Sequence, residues 1–393
     1  MFAIRAARVF DGRTLYKDFP LVVIDGSRIA TVDSAAGSPS GDLPVLDLGD
    51  VTLLPGLIDA HVHLAFDPEH ASQHPTIADE DSSTILTRMR RQALQQLRAG
   101  VTTVRDLGDR DYLAVALREE HLADPEAGPE ILAAGPPITR TRGHCWFLGG
   151  EADGIAGLQA AVAERVARDV DVIKIMATGG VITPGWGPHD SQYTFEELAA
   201  ATDAAHALGM AITAHAHGAR GIIDAVAAGV DGIEHGSFFT EAGVEPDWRT
   251  VDAMVQAGTF VGATEALLPE GEMISPPVAA RIEQRCANFA RMHREGLRLV
   301  CGSDAGVIRR KPHGVLPWGI IHLGSIGLTN VEALASATTV AAEACGVAHR
   351  KGRIAAGFDA VFVAVAGNPV HHLEALLDVR AVIRMGRLVG SQQ

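Results

Sequence analysis

Apolar positions along this chain fall into two textures. Residues 1–55 alternate short apolar runs (FAIRAARVF, LVVIDGSRIATV, DLPVLDLGD) with turn residues and show no helical period, which predicts a small β unit. From residue 56 onward, continuous apolar runs alternate with Ala-rich amphipathic stretches, the pattern of βαβ units around a parallel sheet. Eight runs predict strands: GLIDAH, TTVRDL, EILAAG, VIKIMA, AITAHA, GIEHG, TFVGAT and RLVCGSD. Helices are expected between them, including 83–99, 154–169, 194–208 and 278–296. After residue 350, KGRIAAGFDAVFVAV and VRAVIRMGRLVG return to short β runs. The expected architecture is α/β, a (β/α)8 TIM barrel over 56–349 with a small β-sandwich built from both chain termini, 1–55 and 350–393. The nearest thing to a flexible loop is SAAGSPSGDLP at 34–44.

Such a barrel carries its chemistry at the C-terminal ends of its strands. In LIDAHVHLAF, His61 and His63 are one residue apart, so on a strand they share a face, and neutral imidazole is the commonest metal ligand. A packed, hydrogen-bonded histidine is the ordinary alternative, so further ligands are needed. Lys174 interrupts the apolar run DVIKIMATGG. A lysine near a strand end commonly carries its charge to the surface, but a buried one loses its proton more easily and becomes a nucleophile. Such an amine can add carbon dioxide, and the carbamate offers two oxygens able to bridge two metal ions. His215 in AITAHAHG, His235 in DGIEHG and Asp304 in LVCGSDAG close the fifth, sixth and eighth runs. His217 shares strand parity with His215 and competes with it; His215 is preferred because it comes first and His217 adjoins the glycine that ends the strand. Six such groups at the ends of five strands point to one site.

Composition narrows the class. Of 393 residues 47% are hydrophobic and only 5% aromatic, which suits buried parallel strands covered by helices. A formal net charge of −15 argues against nucleic-acid or anionic-membrane partners, which require a basic patch. The four cysteines, at 145, 286, 301 and 345, have neither C-x-x-C spacing nor disulfide-scaffold density. MFAIRAARVFDGRTLY has no apolar core followed by a small-residue cleavage site, and no apolar stretch spans a bilayer. A reducing, cytoplasmic setting is expected.

The motifs just described, with LLPGLIDAHVHL and TAHAHGARGIIDAVAAGVDGIEHG, resemble the amidohydrolase superfamily over essentially the whole chain. Within it they look like the branch of imidazolonepropionase-like proteins and Xaa-Pro or acyl-amino-acid dipeptidases. GFDAVFVAV departs from the usual G-x-D-A-D by placing Val361 where Asp is common, at a position in the sandwich rather than the site. The resemblance implies two divalent ions, with zinc the expected metal. His61, His63 and Asp304 would hold the first, His215 and His235 the second, and N-carboxylated Lys174 would bridge them. Two close cations acidify a shared water and polarise a carbonyl. Asp304 would serve as base and then acid, and His144 would steady the carbonyl oxygen. By family analogy, a homo-oligomer is expected.

Loops after the third and fourth strands, ITRTRGHCWFLGG and TGGVITPGWGPHDSQYT, carry the substrate information. Trp146, Phe147 and Trp186 are expected to line the pocket, and Tyr193 is grouped with them. Arg140 and Arg142 are candidate clamps for a substrate carboxylate, with Arg309 and Arg310 a second pair. The expected partner is a small-molecule amide, a dipeptide or N-acyl amino acid bearing an apolar group. Hydrolysis of a cyclic amide is the runner-up, followed by release of ammonia or a non-catalytic scaffold.

Overall fold

Short runs separated by glycine and aspartate turns become seven strands at the start of the chain: β1 (Phe2–Arg5), β2 (Arg8–Phe10), β3 (Leu15–Tyr16), β4 (Leu21–Asp25), β5 (Arg28–Asp33), β6 (Val45–Asp47) and β7 (Val51–Pro55). The structure, a computed structural model, describes residues 1–33, 43–270 and 276–391. The expected loop at 34–44 therefore falls, except for its last two residues, outside the described residues.

Eight further strands alternate with helices: β8 (Leu57–Val62), α1 (Ser82–Arg98), β9 (Val101–Asp106), α2 (Leu113–Ala123), β10 (Glu130–Ala133), α3 (Gly154–Ala167), β11 (Ile173–Met176), α4 (Phe195–Ala207), β12 (Ile212–Gly218), α5 (Ala219–Ala227), β13 (Gly232–Phe239), α6 (Trp248–Ala257), β14 (Phe260–Ala263), α7 (Pro276–Arg294) and β15 (Arg298–Cys301). Helices α8 (Leu316–Ser325), α9 (Asn330–Ser336) and α10 (Thr339–Ala344) follow, then β16 (Phe362–Ala366), β17 (Val379–Arg384) and β18 (Arg387–Ser391). The eight predicted strand runs and four predicted helices each meet one of these elements within a few residues.

The helices form for local reasons. In α1 the Asp81 side chain accepts from Thr84 N, and Ile85, Met89, Ala93 and Leu97 bury one stripe at i, i+4 spacing. Helix α4 opens with a capping box in which Thr194 and Glu197 satisfy each other's backbone amides. Every residue of β8 and β9 is buried, because both faces of a parallel sheet are covered.

β8, β9 and β10 form one parallel sheet, and β11 to β15 form a second in sequence order. Single parallel bridges connect the two at Ile138↔Ile175 and Val62↔Ala305. Strands from both chain ends pair in a six-stranded sheet of order β18-β17-β16-β7-β2-β3, beside a four-stranded sheet β5-β4-β1-β6. Ile4, Val22, Leu53, Phe362 and Ile383 belong to the core between them. Among the described residues no helix is long and apolar enough to cross a membrane.

Candidate metal centre

Parallel strands in sequence order bring their C-terminal ends to one edge, and the predicted ligands meet there. His61 and His63 leave the end of β8 with Nε2 atoms 3.3 Å apart. Asp304, past the end of β15, places Oδ1 3.5 Å from each of them. Their outer nitrogens are committed elsewhere: His61 Nδ1 lies 2.8 Å from Glu234 Oε2 and His63 Nδ1 3.2 Å from the Gly108 carbonyl. Protons on Nδ1 leave both Nε2 atoms as lone pairs facing each other and a carboxylate. Three acceptors in a buried site repel one another unless a cation sits among them. Tetrahedral zinc, with Zn–N of about 2.0–2.1 Å, has donor-to-donor edges of about 3.3 Å, and these separations match.

A second candidate cluster lies on β12 and β13. His215, His217 and His235 each bring a ring nitrogen within 4.8 Å of the others. His235 Nδ1 is held by Thr264 Oγ1 at 2.8 Å, His217 Nδ1 by Ser237 Oγ at 2.9 Å, and His215 Nε2 by the Gly179 carbonyl at 3.1 Å. Such outward bonds orient metal-binding imidazoles and choose their tautomers. Sequence parity favoured His215 over His217; the structure brings both to the cluster.

Lys174 on β11 is 1% exposed, and its Nζ has no hydrogen-bond partner. Burial lowers its pKa to about 8. Burial, and next to it the charge of Lys174, lowers His61 to about 4. His215 and His235 are pushed well below the ordinary range by burial and by the neighbouring imidazoles, with Lys174 contributing. A buried ammonium without acceptors, beside neutral imidazoles, is an unfavourable occupant.

Backbone strain marks two of the predicted ligands. His235 (φ +72°) and Asp304 (φ +55°) lie in the left-handed region, which non-glycine residues rarely adopt and which gathers at functional sites. This left-handed residue inside β13 breaks the strand alternation, so the adjacent side chains of Glu234 and His235 both reach His61.

Sequence reasoning passed over Glu234. Its buried carboxylate accepts from Arg105 at 2.9 Å and Thr213 Oγ1 at 2.7 Å besides holding His61. Burial opposes its charge, but Arg105 and His61 prevail and keep it well below the usual carboxylate range. Its signal was present, since a carboxylate inside GIEHG interrupts an apolar strand as Lys174 does. Lys311 was also missed: its Nζ donates to the carbonyls of Thr264 (2.7 Å) and Ser303 (3.2 Å) and lies 3.5 Å from Asp304 Oδ2. Burial resists ionisation of Asp304, and Lys311 with the two histidines overcomes it and holds the carboxylate charged.

A cavity of about 590 Å³ opens over these residues, walled on its apolar side by Val181, Ile182, Phe239, Leu267 and Ile308. His144 lies in it, with its ring 4.7 Å from that of His215 and lowered to about 3 by burial, so it is neutral. Of the remaining substrate candidates only Arg310 reaches this cavity. Trp146 and Phe147 line a separate cavity of about 520 Å³ with Tyr112 and Arg168, and Arg142 stacks on Trp146 at 3.9 Å. Arg140 donates to the Gln192 carbonyl and lies 5.2 Å from the ring of Trp186, which is half-buried and not part of the catalytic cavity wall. Tyr193 is buried, its hydroxyl donating to the Ala152 carbonyl at 2.8 Å. Arg309 pairs with Glu69, while Arg310 reaches the cavity wall but donates to the Leu268 carbonyl. The loop aromatics expected in the wall are absent from it, and the wall is aliphatic apart from Phe239, because Trp146 and Phe147 pack beside Tyr112 and Arg168 and Trp186 beside Arg140.

Residues 52–389 match the profile of the Amidohydrolase family, and the chain belongs to that family, as a hydrolase acting on carbon–nitrogen bonds. Among solved structures it is similar to a Xaa-Pro dipeptidase with methionine bound in its active site, at 31% identity and a TM-score of 0.86 over 98% of this chain and 99% of that one. It is also similar to a prolidase complexed with N-methylphosphonate-L-proline, at 27% identity and a TM-score of 0.84 over 100% of both chains. A curated relative, the ochratoxinase of Aspergillus niger, is 24% identical over 369 residues, covering 84% of this chain and 73% of the relative.

Proposed function

We propose that this chain hydrolyses the amide bond of a dipeptide or N-acyl amino acid carrying an apolar group, using two divalent metal ions, with zinc the metal its donors suit. The observation that carries this reading is the pair of converging lone-pair clusters, His61/His63/Asp304 and His215/His217/His235, with the partnerless Lys174 amine beside them. We read Lys174 as carboxylated and bridging, and His215 and His235 as holding the second ion with His217 beside them. We read the eight parallel strands as one closed barrel, a reading supported by the bridges at Val62 and Ile138.

When bound, such ions supply Lewis-acid polarisation of a carbonyl and acidification of water. The chain's residues do the rest. Asp304, held ionised beside Lys311, takes a proton from the attacking water and hands it to the leaving nitrogen. Neutral His144 donates a ring N–H to the substrate carbonyl oxygen as negative charge develops there. The aliphatic wall of Val181, Ile182, Leu267 and Ile308 binds the apolar group and excludes water. The names of the similar dipeptidase, prolidase and ochratoxinase favour an amide over an ammonia-releasing substrate.

The test pairs metal analysis with a hydrolysis panel of dipeptides and N-acyl amino acids. Metal-replete wild type should release free amino acid, and Lys174→Ala should lose at least one ion per chain together with activity. Equal metal content in wild type and Lys174→Ala would remove the bridge, and ammonia as the sole product would move the chain to the alternative class.

A further inference from the structure

Apart from the His61 and His215 clusters there is, among the described residues, a third cluster of ligand-type side chains. Cys286 on α7, His322 on α8 and Glu265, two residues past β14, bring one donor atom each within 4.8 Å of one another. Cys286 Sγ and His322 Nε2 are 3.3 Å apart. In a tetrahedral zinc site, bonds of about 2.3 Å to sulfur and about 2.0 Å to nitrogen place the two donors about 3.5 Å apart.

A thiol hydrogen-bonded to an imidazole would account for two of the three groups, but not for the third. Glu265 is 5% exposed, its Oε2 accepts from Arg285 at 2.7 Å, and its Oε1 is buried without a partner. An unmet carboxylate oxygen in the interior is costly, and a cation among the three side chains removes that cost. Arg285 then holds the far oxygen of a ligating carboxylate, the usual outer support of a metal site.

We propose that Glu265, Cys286 and His322 form a further binding site for a zinc-class divalent ion, with a fourth position left for water. Thiolate and imidazole donors select zinc, cobalt or cadmium over magnesium and calcium. Binding releases the thiol proton to solvent as the sulfur–metal bond forms. The ion ties α7 to the end of β14 and to α8. Ile282 and Arg285 on α7 line the substrate cavity together with Glu265. None of the three ligands belongs to the His61 and His215 clusters.

Cobalt(II) and zinc titrations of the full chain test this. Wild type should bind one equivalent more than Cys286→Ser and, loaded with cobalt, show a near-ultraviolet thiolate-to-metal band. Cys286→Ser and His322→Gln should lose that band while keeping the Lys174-dependent ions and basal amide hydrolysis. In the wild-type chain, zinc should slow alkylation of Cys286, located by mass spectrometry, at least tenfold, a reading that needs no variant to fold. Equal metal content in wild type and Cys286→Ser, a thiolate band that persists in Cys286→Ser, or alkylation indifferent to zinc would each overturn the site.

Discussion

Asp304 is asked to do two things that conflict in most environments: to face two imidazoles in a buried site and to move a proton. Its left-handed backbone (φ +55°) and the Lys311 ammonium at 3.5 Å reconcile them, because the turn aims the carboxylate at the histidines and the cation keeps it ionised. Asp304→Asn retains the shape but not the basic oxygen. Turnover should fall by about 10²-fold or more, the scale of acid–base assistance, in a chain that still folds. Near-wild-type turnover in this variant would assign the proton transfer to another group. His144 is a poor substitute, since burial lowers it to about 3 and it has no proton to exchange near neutrality beyond the one it donates.

Between elements, close approach decides whether the ligands are aimed at all. A Cβ at Gly262 on β14 would run into Glu234 Oε2, so only glycine lets the Glu234 carboxylate cross from β13 to hold His61. Gly262→Ala should therefore lower metal affinity about 10- to 100-fold, the usual cost of losing an outer support, although residue 262 is no ligand. Competition with a chelator measures it, and unchanged affinity would show that Glu234 is dispensable. The loops make the opposite kind of prediction. Ile182 lines the cavity and Trp186 does not. Ile182→Ala should reduce kcat/KM for bulky acyl groups roughly tenfold more than for small ones, about two methylenes of contact at about 0.8 kcal/mol each. Trp186→Ala should affect both alike. A size-dependent loss in Trp186→Ala would bring that ring back to the substrate.

Across the molecule, a chain of charges joins the terminal sheets to the parallel strands. Arg28 on β5 pairs with Asp359 at 2.7 Å, Asp359 with Arg350 at 2.8 Å, and Arg350 and Lys351 both pair with Glu130 at the start of β10. Burial opposes the charge on Glu130, but Lys351 and Arg350 prevail and hold it at about 2. A carboxyl depressed in the folded state contributes stability that is full above its unfolded value near 4.5 and is lost as pH falls toward 2. Glu130→Gln should cost about 3 kcal/mol at neutral pH and flatten the dependence of unfolding free energy on pH between about 4.5 and 2. Denaturant titrations across that window check it; parallel curves for wild type and variant would place the acid sensitivity elsewhere.

Much of the site was legible in the chain because two periodicities act together. Alternation within a strand puts His61 and His63 on one face, and parallel strands taken in order bring Lys174, His215, His235 and Asp304 to the same edge, so local pattern and sequence order suffice to bring these side chains together. Nothing in that pattern says which imidazole nitrogen faces inward. That was decided by Glu234 and the Gly108 carbonyl, which reach His61 and His63 from other strands and loops. Nor does loop composition say which way a loop folds. Trp146 turned toward Tyr112 and Arg168, and Tyr193 spent its hydroxyl on the Ala152 carbonyl, because a ring settles wherever distant elements leave apolar space and a free acceptor. Strand order is written along the chain, whereas cavity walls and tautomers depend on contacts between residues far apart in it, which exist only once the strands have met.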